Sequence, residues 1–269
     1  MKLGYIDYLN CYPFYFHMFE RQPIGGVELI GGYPSDLNKG MVSSELDMSP
    51  ISAATLADIQ NDALLLPDFC LSSVGYVASV VLRSKIPIED LDGKVVGITR
   101  ASHTSVVLLK ILLERFYRVK PEYQTTDPNP TLKNLDAVLV IGNEAMLPRA
   151  ELVSYSYDLG ELWLRKTGFP VVFAVFAVRE KALAEHEPTI REAIESYRKS
   201  LDCLKTDSGT LIAAAKQKYP DIPYDIETYY QLLQFEFTDD LKRAFRYYMD
   251  TASEMGLLAK VDNIRYLQI

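Results

Sequence analysis

The sequence predicts an α/β protein of two lobes, with a central cleft between them and a helical C-terminal segment. Three observations carry this. Short apolar runs alternate with turn signals over the first third of the chain, the rhythm of strands and helices around an open sheet. A break at Arg83–Pro87 starts a second unit of the same kind. From Arg179 onward the pattern changes to amphipathic helices.

Each element has its own signal. Lys2–Leu9 reads as a strand that runs into Asn10 and the aromatic segment around Pro13. Val27–Gly31 is a second strand, and Ser35 caps a short helix to about Val42. Glu45–Ser49 is a short strand, Ser52–Asp58 a helix, and Leu64–Leu66 and Cys70–Ser73 two more strands. Val77–Leu82 is Val-rich, as a buried strand should be. After the break, Lys94–Thr99 alternates clearly, and Arg100–Ser105 opens a helix to about Tyr117. Leu135–Ile141 has the continuous apolar character of a parallel-sheet strand. Leu152–Tyr157 and Val171–Val178 are strands with a short helix, Leu159–Lys166, between them. The helices Thr189–Leu204, Ser208–Tyr219, Ile226–Phe235 and Thr238–Gly256 complete the chain.

Two crossovers follow from this order. The strand around Val80 leaves the first lobe and the strand around Val175 returns to it. The expected lobes are residues 1–84 with 178–269, and residues 85–177. That is a type II periplasmic-binding-protein-like fold; a single Rossmann-like domain with a helical cap is its competitor.

Composition narrows the function. Of 269 residues 48% are hydrophobic and 24% charged, a globular balance. A net charge of −8 opposes a nucleic-acid surface. No apolar run spans a membrane, and the N-terminus lacks a signal-peptide h-region, so a cytoplasmic location is expected if this is the full product. Cys11, Cys70 and Cys203 make neither a disulfide framework nor a metal knuckle, and His17, His103 and His186 are scattered, so no metal is expected. Phosphate-loop, dinucleotide, zinc-protease and nucleophile-elbow motifs are absent.

Candidate site residues cluster where strands end, because ligands of open α/β sheets bind beyond the carboxyl ends of strands. Asn10 holds that place after the first strand. Ser102, His103, Thr104 and Ser105 stand at a helix N-terminus, where free N–H groups favour an anion; a simple N-cap explains one of the three hydroxyls. Ser49 and Ile51 lie on the Ser49–Ser52 strand-to-helix turn, Ser72 and Ser73 before Gly75, and Gly142 and Asn143 after the most apolar strand of the second lobe. Tyr8, Tyr12 and Tyr15 can wall a pocket for a flat ligand, whereas Tyr229, Tyr230, Tyr247 and Tyr248 read as helix packing.

In order along residues 4–180, the segments Tyr8–Pro13, Glu45–Ser52, Ser72–Val80, Thr104–Leu109, Leu139–Ala145, Tyr157–Trp163 and Thr167–Ala174 resemble the chorismate dehydratases of the futalosine route to menaquinone. The resemblance implies conversion of chorismate to 3-[(1-carboxyvinyl)oxy]benzoate and water, without metal or redox cofactor. It also implies a small dianionic substrate and catalytic roles for Asn10 and a serine of the 72–79 segment, Ser73 first, Ser72 second, with Ser79 left open. An oligomer is compatible with it. Asp7 departs from the small polar residue often found there in the family. On an alternating strand it faces away from Asn10. The competing readings are a non-catalytic solute-binding protein of the same fold, a non-catalytic regulator descended from the enzyme, and the related dihydroxynaphthoate synthase.

Overall fold

The first strand stops earlier than its apolar pattern allows. In the computed structural model, which describes residues 1–147 and 153–268, β1 is Lys2–Ile6. Tyr8 is still extended, but Leu9–Cys11 coil into one 3-10 turn, closed by Cys11 N–H to the Tyr8 carbonyl at 3.0 Å. Asn10 therefore sits on a turn beyond the strand end, buried. α1 (Tyr12–Glu20) follows, and β2 (Glu28–Gly32) pairs parallel with β1.

α2 (Pro34–Val42) begins at Pro34 after extended Tyr33, because proline's fixed φ suits a first turn; no Ser35 side-chain cap forms. β3 is Met48–Ser52, three residues later than expected, with all five residues buried, and α3 (Leu56–Ile59) follows a 3-10 turn. The two expected strands 64–66 and 70–73 are one, β4 (Ala63–Ser73), whose irregular register against its neighbour absorbs Pro67.

The second unit holds β5 (Val80–Ser84), β6 (Val95–Thr99) and α4 (His103–Lys110), which continues into a π-helical stretch, Ile111–Tyr117. β7 (Glu122–Thr126), not expected from the sequence, pairs parallel with β6. β8 (Ala137–Ile141) is wholly buried and leads to α5 (Asn143–Met146). β9 is Tyr155–Asp158; the expected start at Leu152 lies outside the described residues. α6 (Leu159–Thr167), N-capped by the Asp158 carboxylate, stops at Gly168, φ +77°.

β10 (Val171–Arg179) then leads to α7 (Glu180–Thr206), kinked at His186 ahead of Pro188. α8 (Ser208–Lys218), α9 (Ile226–Leu232), β11 (Leu233–Glu236) and α10 (Asp239–Glu254) complete the fold. The segment expected as almost wholly helical thus contains a strand, where a helix to Phe235 was expected.

Two sheets result, ordered β11-β4-β10-β3-β1-β2 and β7-β6-β8-β5-β9. Both expected crossovers are present, but sheet membership moves the boundaries expected after residues 84 and 177. β5, expected to close lobe one, pairs antiparallel with β8 and β9 in the second sheet. β10, expected at the end of lobe two, lies between β3 and β4 in the first. The chain therefore passes between sheets through residues 74–79 and 168–170. An aromatic cluster of Phe14, Phe69, Phe176 and Tyr197 fixes α1 and α7 on the first sheet. No described helix is long and apolar enough to cross a membrane.

Candidate active site

A cavity lies where the two sheets meet. The first sheet and its turns contribute Tyr8, Asn10, Cys11, Ser52, Leu71, Phe173 and Leu233. The second contributes Ser102 and Ser105 from the start of α4, with Ile141 and Gly142 from the end of β8. The crossover supplies Val77, Ser79 and Val80.

The lining is mostly apolar with a few neutral polar side chains; among the described residues it includes no Asp, Glu, Lys, Arg or His. Burial pushes the Cys11 thiol and the Tyr8 phenol far up, so both stay neutral. Asn10 Oδ1 and Ser79 Oγ are buried without a protein hydrogen-bond partner. So is the hydroxyl of Tyr229, a fully buried residue of α9. Burial raises its pKa, and the neighbouring Ser79 and Asn10 side chains oppose the rise. The three groups thus lie together, none locked in a standard bond. The α9 segment is held there by the Tyr230 hydroxyl, which donates to the Leu9 carbonyl at 3.1 Å.

A second polar group forms at the start of α4. Ser102 Oγ caps the helix by accepting the Ser105 N–H at 3.3 Å, and it donates to Ser105 Oγ at 3.1 Å. Ser52 Oγ accepts from Asn38 Nδ2 at 3.0 Å and from His103 N–H at 3.3 Å.

Of the residues singled out in the sequence, Asn10, Ser102, Ser105 and Gly142 meet at this cavity, as do Tyr8 and Ser79. The others are not in its lining. Ser73 Oγ donates to the Gly75 carbonyl at 3.1 Å, and Ser72 Oγ is buried within β4. Ser49 Oγ donates to the Pro50 carbonyl, and Ile51 is core. Thr104 Oγ1 donates to the Phe173 carbonyl at 2.9 Å and accepts from Ala54 N–H, so it ties α4 to the first sheet. Asn143 Oδ1 accepts the Leu9 N–H at 2.9 Å, a second tie between the sheets. His103 lies in an outer groove, its Nδ1 3.3 Å from Thr55 Oγ1. Asp7 points outward to the Tyr219 hydroxyl and Lys218. Tyr12 and Tyr15 are buried in the core.

Sequence reasoning singled out the Ser49–Ser52 turn but chose Ser49 and Ile51 over Ser52, and it assigned Tyr229 to packing. A serine before a helix did mark Ser52. Nothing local marks Tyr229, whose role depends on contacts across most of the chain.

Two α/β sheets meeting at a cavity, with a helical C-terminal segment, define a protein of the periplasmic-binding-protein fold. Solved structures agree. A protein of Archaeoglobus fulgidus, AF1704, matches with a TM-score of 0.76 at 18% identity, covering 96% of this chain and 98% of that one. The Candida albicans CA3427 product, described as having the generic periplasmic binding protein fold, matches at 0.62 and 13% identity over 100% and 97%. A family model described as menaquinone biosynthesis matches residues 1–254, and the chain belongs to that family. A Thermus thermophilus chorismate dehydratase is 32% identical over 196 residues, 66% of this chain and 70% of the relative.

Proposed function

We propose that the protein is a chorismate dehydratase, a hydro-lyase that converts chorismate to 3-[(1-carboxyvinyl)oxy]benzoate and water. The observation that carries the reading is the cavity between the sheets, an apolar lining with a few neutral hydrogen-bonding groups, Asn10 on the turn after β1 among them. The named relative supports the choice of substrate. The reading includes a cytoplasmic location.

The chemistry asks little of a protein base. The C3 proton leaves, its electron pair forms the C3=C4 double bond, and the C4–oxygen bond breaks, so the ring becomes aromatic and the proton and hydroxide leave as one water. What the site must do is orient the ring, exclude bulk water and stabilise the departing hydroxyl. Asn10 and Ser79 are placed to hydrogen-bond the oxygen at C4. In this reading Tyr229, which neighbours both, aligns them toward the substrate. With no side chain in the lining that titrates near neutrality, a substrate carboxylate takes the C3 proton. Ser79 replaces Ser73 as the serine of choice, because the Ser73 hydroxyl is committed to the Gly75 carbonyl.

The test is incubation of the purified protein with chorismate, followed by ultraviolet spectra and mass analysis. Loss of one water, abolished in a folded Asn10→Ala variant, is expected. Tight binding of chorismate without loss of water would make this a solute-binding protein instead.

A further inference from the structure

We propose that Ser52 and Ser105 form a carboxylate subsite in the cavity, and that Asn38 makes Ser52 an obligate hydrogen-bond donor there. The proposal rests on the dehydratase reading for the identity of the ligand, but not for its chemistry.

The argument is one of hydrogen-bond polarity. Ser52 N–H donates to Asn38 Oδ1 at 2.9 Å, which fixes the end of the Asn38 amide that carries oxygen. The other end, Nδ2, then donates to Ser52 Oγ at 3.0 Å. His103 N–H donates to the same oxygen at 3.3 Å. A hydroxyl oxygen has two lone pairs, and both are used. The Ser52 proton has no acceptor among the described residues. Ser52 is 2% exposed and borders the cavity, so the cavity is where its proton can be satisfied.

Ser105 supplies a second hydroxyl, less constrained because only one acceptor site of its oxygen is filled. Its oxygen accepts from Ser102, whose own oxygen accepts the Ser105 N–H, and Ser105 is also buried at the cavity wall. Two O–H donors without acceptors therefore stand beside the first turn of α4, where the helix dipole favours negative charge. A carboxylate offers two acceptor oxygens to such a pair. No cation lines the cavity, so the subsite reads an anion by hydrogen bonding alone.

Calorimetry on the full chain with three probes tests this: chorismate, 3-hydroxybenzoate and its neutral counterpart 3-hydroxybenzyl alcohol. Ser52→Ala is expected to weaken both carboxylates by roughly ten- to hundredfold and to leave the alcohol within about threefold. Asn38→Asp keeps the shape and the acceptor for Ser52 N–H but removes the donor, so the Ser52 proton turns away from the cavity. It is expected to weaken the carboxylates at least as much, with the melting temperature of each variant checking the fold. Equal losses for acid and alcohol, or no loss for the acids, would overturn the subsite. So would absence of saturable carboxylate binding to the unsubstituted protein. If chorismate is turned over with an unchanged KM in folded Ser52→Ala, the subsite fails and the dehydratase reading stands. If chorismate is inert but 3-hydroxybenzoate shows the expected losses, the subsite stands and that reading fails.

Discussion

Ser73 and Ser79 are both buried, yet their hydroxyls have different uses. Ser73 spends its proton on the Gly75 carbonyl, inside a turn where Gly75 has φ +85°. Ser79 keeps a hydroxyl without a protein partner at the cavity wall, beside Asn10 and Tyr229. A graded series of rates is therefore expected. Ser79→Ala should lower kcat for chorismate by about a hundredfold or more, as loss of a donor aimed at developing charge does. Tyr229→Phe should lower kcat roughly tenfold with KM little changed, because it removes alignment but not a ligand contact. Ser73→Ala should leave kcat within about threefold. Steady-state kinetics on folded variants checks the order; a Ser73→Ala loss equal to that of Ser79→Ala would reverse the assignment. Tyr229→Phe should also add little to Ser79→Ala in the double variant, since residues acting as one unit are not additive.

The elements show what a linear pattern can and cannot carry. Gly142 closes β8 with φ +61°, and a Cβ there would lie 2.5 Å from the Tyr8 ring. Only glycine allows the second sheet to approach Tyr8, one residue from the Leu9–Asn143 tie. Gly142→Ala is expected to cost about 2–4 kcal/mol from strained backbone and overpacking, seen as a lower denaturant midpoint at constant slope. That glycine was legible because it ended an apolar strand, and Asn10 was legible for the same reason. β7 and β11 were not, since both are edge strands with exposed residues and no clear apolar run to announce them. The sheet membership of β5 and β10 was hidden differently. Both are nearly all buried, and a buried strand has the same composition in either sheet. The pairing that distinguishes them is long-range. Tyr229 was hidden for that reason too: helical spacing gives the packing face but not the polar atoms that the face meets.

At the scale of the whole molecule, stability and turnover should answer differently to pH. Burial, chiefly, lowers the pKa of His103 below 6.5, with Lys110 adding to the effect and Asp58 opposing it. His17 is lowered in the same direction, first by burial and then by Lys199 and Arg21. A histidine whose folded pKa lies below its unfolded value binds protons more readily when unfolded. Its contribution is thus complete above about pH 6.5 and is lost as pH falls through the folded pKa. Asp158 has the opposite sign: burial raises its pKa above 3.8, so its ionisation costs stability as pH rises from there. Comparing His103→Gln with the unsubstituted protein cancels that background, and the variant should lose less melting temperature between pH 7 and 5. An identical slope would assign the acid sensitivity to other groups. Turnover should show none of this near neutrality. No lining residue titrates there, and the buried Cys11 and Tyr8 ionise only far above it. With the substrate's own carboxylate as base, kcat should stay flat from about pH 6.5 to 8.5 while the protein remains folded. A limb in kcat near pH 7 that survives His103→Gln and His17→Gln would require a base inside the cavity, and would overturn substrate-assisted proton removal even if the product is the one proposed.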